Sequence, residues 1–331
     1  MCIRNKLRFA LIVLLMWVGM SHPVLACDVC SIPFNARRSV GKSAGGAMTT
    51  TPTATTLGKR HGAVGFLFEH QRYNSLPASD AHALHEAGRD IHGKNHEEVY
   101  NVSVGYGVLD NLDLFLITPL ASRTSIQIED EAHLGRGERA SGFGDLRLVG
   151  KYRFWEAGVD AALILGLKAP TGETSDTDQS GKKFEPELQP GSGSWDFNTG
   201  LALSKSVGQH LGLASAFQYT YRGEGAQDLK FGDVFRYDVG ASYALKPLGQ
   251  HPNLSVVLEL NNQWALRDHS RESDKVLDSG GTTILLSPGF SADLTPSLTA
   301  FWAMPIPIYQ NLGGEHEELK YAIITGISWH F

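Results

Sequence analysis

Three groups of residues in this chain carry chemistry that a fold could use. The first is Cys27-Asp28-Val29-Cys30. Two thiols at this spacing can close a local disulfide. If Cys27 becomes the first residue of a processed chain, it can carry lipid instead and leave Cys30 unpaired; a redox or metal-handling role is the third alternative. Ser31 follows where a c-type haem site would need His, and two thiolates cannot complete a zinc site by themselves. The second group is His82, His85, His92 and His96, interleaved with Glu86, Asp90, Glu97 and Glu98. Imidazole and carboxylate ligands together suit zinc or copper, but the spacing matches no fixed metal motif. Weak zinc or copper binding and a plain hydrophilic loop both stay open. The third group is a set of charged residues spread singly along alternating segments: Asp145, Arg147, Lys151, Arg153, Asp196, Arg222, Arg236, Asp238, Glu259 and Arg267, together with Glu69, Asp160 and Lys168.

Enzymatic chemistry finds no support. There is no G-x-S-x-G, no H-E-x-x-H, and no Gly-Lys-Ser/Thr ending to a glycine-rich run. A nucleophilic hydrolase would need Ser or Cys converging with His and a carboxylate; no such set stands out, and we expect neither an enzyme nor a resident cofactor. With 29 Lys+Arg against 35 Asp+Glu, a formal charge of -6, the chain lacks the surplus basic charge that nucleic acid requires.

The elements that must position these residues are strands. Residues 1–26 read as a signal peptide: Arg4, Lys6 and Arg8 precede an apolar run over residues 9–18, and Val24-Leu25-Ala26 leads to the cleavage point. Residues 27–61, rich in Ala, Gly, Ser and Thr beyond residue 30, read as a flexible lead-in that could act as a plug or a periplasmic tail. From residue 62 to 331 apolar residues recur with period two, not 3.6. Twelve candidate strands lie near 62–74, 97–109, 112–126, 142–155, 158–170, 194–206, 210–223, 231–245, 254–268, 280–294, 297–309 and 317–331.

Short and long connections alternate, which a soluble sandwich has no reason to do and a transmembrane barrel does. Each strand is long enough to cross a bilayer at a tilt. Tyr, Trp and Phe collect near strand ends, as interfacial girdles require. The last strand alternates through Trp329 and stops at Phe331, a pattern similar to the signal by which outer-membrane proteins are recognised for insertion. The expected fold is therefore all-β: a transmembrane antiparallel up-and-down barrel of about 12 strands, with the charged set facing the lumen. Its partners are outer-membrane lipid, the barrel assembly machinery and a small-molecule solute. Small inward residues such as Gly200, Ala202, Ala214, Gly240 and Ser242 are expected to leave room in the lumen.

Several motifs carry a family resemblance: Gly142-Phe143-Gly144-Asp145-Leu146-Arg147-Leu148, leading to Lys151-Tyr152-Arg153-Phe154; Pro170-Thr171-Gly172-Glu173; and Gln189-Pro190-Gly191-Ser192-Gly193-Ser194-Trp195-Asp196-Phe197. Over residues 60–331 the chain resembles the bacterial outer-membrane transporter family named after the meta-cleavage pathway of phenol degradation. The resemblance implies a membrane barrel with a transport role in a Gram-negative envelope. The alternative is a non-conducting structural or metal-handling barrel that acts through its His-rich loop and Cys27 and Cys30.

Overall fold

A computed structural model describes residues 47–74, 92–128, 136–270, 275–276, 279–313 and 318–331. Twelve strands close into one antiparallel barrel: β1 (Gly62–Tyr73), β2 (His92–Leu109), β3 (Leu112–Ile128), β4 (Arg136–Phe143 and Arg147–Glu156), β5 (Asp160–Lys168), β6 (Asp196–Val207), β7 (Leu211–Arg222), β8 (Val234–Ala244), β9 (Asn253–Ala265), β10 (Gly281–Asp293), β11 (Leu298–Ala303 and Ile306–Leu312) and β12 (Leu319–His330). Each strand pairs with its sequence neighbour, and β12 returns to pair with β1 from Ala63↔His330 to Arg72↔Tyr321.

The alternation seen in the sequence sets the two faces. On β8, Tyr237, Val239 and Tyr243 are exposed, while Arg236, Asp238 and Ser242 are buried. The same inversion holds on β2, where Val102 and Val104 point out and Asn101 and Ser103 point in. A soluble protein would place these residues the other way round. Apolar outside and polar inside is the arrangement that hydrocarbon demands of a barrel. No helix among the described residues is long enough and apolar enough to cross a membrane; the crossing elements are strands.

The turns segregate by length. Asp110-Asn111, residues 157–159, 208–210, 245–252 and 294–297 make short connections at one end, and the segment 169–195 is a long loop at the other. Two strands are interrupted where the sequence suggests continuity. β4 breaks at residues 144–146, where Gly144 N–H donates to the Pro119 carbonyl at 2.7 Å. β11 breaks at Met304-Pro305, because proline has no N–H to give a ladder. β2 starts at His92, five residues before the expected start; its outer part alternates among polar residues and so shows no apolar period.

The seam between first and last strands ends in a clasp. Gly62 N–H donates to the Phe331 carbonyl at 2.8 Å, and Phe331 N–H donates back at 3.0 Å. A Cβ on Gly62 would lie 2.5 Å from the Phe331 ring, so this position accepts only glycine without rearrangement. The ring also packs against Trp329, with centroids 5.0 Å apart. Deleting Phe331 should therefore lower the folded, heat-modifiable fraction in outer-membrane preparations severalfold. Yield and heat-modifiable migration equal to those of the intact chain would refute this role for the clasp.

Candidate functional site: the barrel lumen

The lumen has two halves. Its half toward the short turns is filled by the chain's own N-terminal segment. Residues 47–57 are buried throughout, although the sequence reads as a weakly ordered lead-in there. An extended segment surrounded by barrel wall must find partners for its backbone, because buried unpaired N–H groups are costly. The wall supplies them. On β9, the Glu259 carboxylate, 1% exposed, accepts from three successive N–H groups: Thr49 at 3.2 Å, Thr50 at 3.0 Å and Thr51 at 2.7 Å. The Thr49 hydroxyl donates to the same carboxylate. Thr50 Oγ1 donates to Asn261 Oδ1 at 3.1 Å. Arg236 donates from its guanidinium to the Thr50 carbonyl at 3.2 Å, and its Nε holds Asp238 at 2.8 Å.

Further along the segment, Ala47 N–H donates to Ser242 Oγ at 3.1 Å and Ala54 N–H to Ser204 Oγ at 2.8 Å. Leu57 N–H donates to the Asp113 carboxylate at 2.9 Å, and Leu57 itself packs with Phe115 and Ile117. Small lumen residues were expected to leave room, and the segment takes that room. A Cβ on Gly240 would lie 2.7 Å from Met48 Sδ. A Cβ on Gly107 would lie only 1.8 Å from the Gly58 carbonyl oxygen, so the backbone there approaches too closely for any side chain.

Lys151 and Arg153 belong to this filled half. Lys151 lies over the Phe115 ring at 5.5 Å and pairs in register with Asp113. Arg153 reaches Glu156 at 3.3 Å and the Asp110 carbonyl at 3.4 Å. On the same strand, Lys151 and Arg153 thus each stand beside an acid, and Arg147 faces the chamber toward the long loops.

The half toward the long loops holds a small chamber of about 90 Å³, partly open to solvent. It is lined by Ile117, Arg147, Val149, Gly166, Leu167, Lys168, Asp196, Asn198, Gln218, Thr220, Val234 and Arg236. Lys168 Nζ lies 2.5 Å from Asp196 and 3.5 Å from Asp145. Asp238 is fully buried beside Arg236, and Arg222 lies over the Phe231 ring at 6.0 Å. Arg236 joins the two halves, since it lines the chamber and also grips the N-terminal segment.

The break in β4 is where the conspicuous sequence motifs meet. Asp145 accepts from Gly172 N–H at 2.9 Å, Ser192 N–H at 2.9 Å and Ser192 Oγ at 2.7 Å. Thr171 Oγ1 receives Leu146 N–H at 2.9 Å, and Glu173 N–H donates to the Phe143 carbonyl at 2.8 Å. The triplet Phe143-Gly144-Asp145 recurs as Phe231-Gly232-Asp233, but Phe143 is exposed on the outer face and Phe231 is buried, so the two do different work.

Most of the charged set expected in the lumen is buried: Asp145, Lys151, Arg153, Asp196, Arg222, Arg236, Asp238 and Glu259, with Arg147 half-buried. Arg267 is the correction. β9 ends at Ala265, the alternation ends with it, and Arg267 is exposed. The buried neighbour is Asp268, whose carboxyl is pushed above its ordinary range by burial, against the pull of Gly232 N–H and Arg222. Asp113 and Asn261 hold the segment without having been singled out; Asp113 was legible as the lone acid between the outward Leu114 and the turn.

The four histidines do not form one loop. His92 and His96 lie in β2, and His96 stacks on His70 at 5.7 Å. His82 and His85, like Cys27 and Cys30, lie outside the described residues. No group of three metal-ligating side chains converges among the described residues.

Several solved structures are similar to this chain, and the first of them supports the architecture. The COG4313 outer membrane channel from Pseudomonas putida F1 is similar, with 14% identity, a TM-score of 0.60, and coverage of 83% of this chain and 97% of that one. The NanC porin is similar at 9% identity and a TM-score of 0.45, covering 81% and 98%. The CymD monoaromatic hydrocarbon channel is similar at 10% identity and a TM-score of 0.41, covering 82% and 88%. No curated protein matches the chain. Residues 75–305 match the family described as "Putative MetA-pathway of phenol degradation". That match takes in more than half of the chain and all three motif runs clustered at the β4 break, and the chain belongs to this family.

Proposed function

We propose that this chain is an outer-membrane channel that passes a small solute, with residues 47–57 as the element that closes it. The observation that carries this reading is the lumen itself. Polar and charged groups line a chamber on the loop side, and the lumen beneath it holds a hydrogen-bonded segment that is not part of the wall. A barrel with a purely structural role would gain more from a lumen packed with its own wall side chains, as small eight-stranded barrels do. The resemblance to channel structures supports the fold on which the reading depends, and the reading assigns no reaction to the chain.

The segment is held by many individually modest bonds, and the strongest cluster is the Glu259 carboxylate with its three N–H donors. Hydrogen bonds to a charged acceptor contribute about 1.5–3 kcal/mol each. An equilibrium between seated and displaced segment is therefore controlled more by Glu259 than by Ser204 or Ser242.

Planar-bilayer recordings provide the primary test. The intact protein should show a small conductance, and removal of residues 47–57 should raise it severalfold while the barrel still migrates as a heat-modifiable species. A folded, truncated barrel without conductance would rule out the channel reading and leave a non-conducting structural barrel. Glu259→Gln should act in the same direction by a smaller amount. Loss of the charge weakens the N–H cluster, and the fraction of time spent open should rise about tenfold for each ~1.4 kcal/mol lost. Opening statistics unchanged from those of the intact protein would show that Glu259 does not hold the closed state.

A further inference from the structure

Arg236 lines the chamber and also holds the closing segment, and its two printed bonds differ in kind. Its Nε donates to both oxygens of Asp238, at 3.0 and 2.8 Å. Asp238 is fully buried and is itself fixed by Asn261 Nδ2 at 2.8 Å, so the guanidinium is anchored at its base. Toward the segment, the same guanidinium donates from Nη2 to the Thr50 carbonyl at 3.2 Å. That acceptor is a neutral amide oxygen. A carboxylate offers the same donor a full negative charge and two oxygens that match the guanidinium fork, and it is the stronger acceptor. The Thr50 contact is therefore the exchangeable one. An anion that reaches Nη2 competes with a carbonyl and leaves the ion pair with Asp238 in place.

Thr50 is a sensitive place for such an exchange. Its N–H donates to Glu259 at 3.0 Å and its hydroxyl to Asn261 at 3.1 Å, while its carbonyl receives Arg236. One residue of the segment thus meets the wall through three different groups. A buried carbonyl deprived of its donor is costly, so removing Arg236 weakens the seat where it is most densely bonded. The chamber supplies the rest of the recognition. Arg147 and Lys168 stand in its lining with Arg236, and Lys168 holds the acid Asp196 at 2.5 Å. Ile117, Val149 and Val234 give the same lining an apolar part. A small solute with one anionic end and an apolar body matches both parts.

On the channel reading given above, we propose that the solute carries a carboxylate and that Arg236 is the residue on which it acts, trading the Thr50 carbonyl for the solute's carboxylate and so loosening the segment that closes the barrel. Arg236 then sets specificity and couples it to opening. A neutral solute of the same shape fills the chamber without drawing Nη2 from Thr50, and a cationic one is repelled by the guanidinium. The segment stays seated in both cases.

The test reads the open fraction of the full-length protein in planar bilayers with butyrate, butyramide or butylammonium added at matched ionic strength. Butyrate should raise the open fraction about tenfold, the factor that corresponds to a weak hydrogen bond to a charged group; the amide and the ammonium should not. Arg236→Gln should open more often without solute and no longer respond to butyrate. Arg236→Lys keeps a counter-charge for Asp238, which favours folding, but lacks the paired donors, so its response should fall severalfold. Lys246→Gln, on an exposed short turn, should respond as the intact protein does. The barrel without residues 47–57 should conduct and be indifferent to butyrate. If that truncated barrel conducts while the intact protein ignores butyrate, this inference fails and the channel reading stands; if it does not conduct, both fall. An equal effect of butyramide, a full response from either Arg236 variant, or a response from the truncated barrel would also overturn the role of Arg236.

Discussion

Everything in this molecule follows from the requirement that no backbone N–H or C=O be left unpaired where water is absent. On the outside, closure of β12 onto β1 meets it, because a closed ladder has no edge. Closure in turn fixes which way each side chain points. Once the apolar faces are committed to lipid, charged residues that would be costly in hydrocarbon can only turn inward. The crowded interior of Glu69, Glu97, Asp113, Lys151, Arg236, Asp238 and Glu259 follows from the wall's geometry before any function is considered.

The same requirement then applies a second time, inside. Carboxylates in a narrow lumen need donors, and an extended segment in a narrow lumen needs acceptors. The N-terminal segment and Glu259 answer each other, as do Leu57 N–H and Asp113. The Thr-rich composition of residues 49–56 suits this place: the side chains are short enough to fit between the walls, and several hydroxyls take part in the bonding. Where the segment ends, the wall charges pair among themselves, as Lys168 does with Asp196 and Asp145.

The barrel was legible in the sequence because its driving pattern is strictly local. Period-two alternation states both the strand and its facing, so twelve strands and most of the lumen charges could be placed without coordinates. What failed did so where that pattern stops. Arg267 keeps the inward parity of Glu259 but lies past the end of β9. His92 and His96 alternate among polar neighbours, so the outer end of β2 gave no apolar signal. The breaks in β4 and β11 depend on contacts with loop 169–195 and on Pro305. The seating of residues 47–57 has no periodic signal at all. Its partners are wall residues up to 211 positions away, and only the closed ring brings them together.

That separation has a consequence for how the chain acquires its structure. The segment leads the barrel in sequence, yet its principal anchor stands on β9, and Asn261 and Arg236 belong to the same C-terminal half. Contacts of such long range cannot form while the nascent chain is still short, and their loop-closure cost is met only when the intervening strands are already paired. Residues made before any barrel strand are thus among the last to find their place. Because the segment runs directly into Gly62, which bonds Phe331 at the seam, its seating and the final joining of β1 to β12 are adjacent steps of maturation. A barrel that closes first must be threaded, and a barrel that closes around the segment uses it as a template for its own circumference.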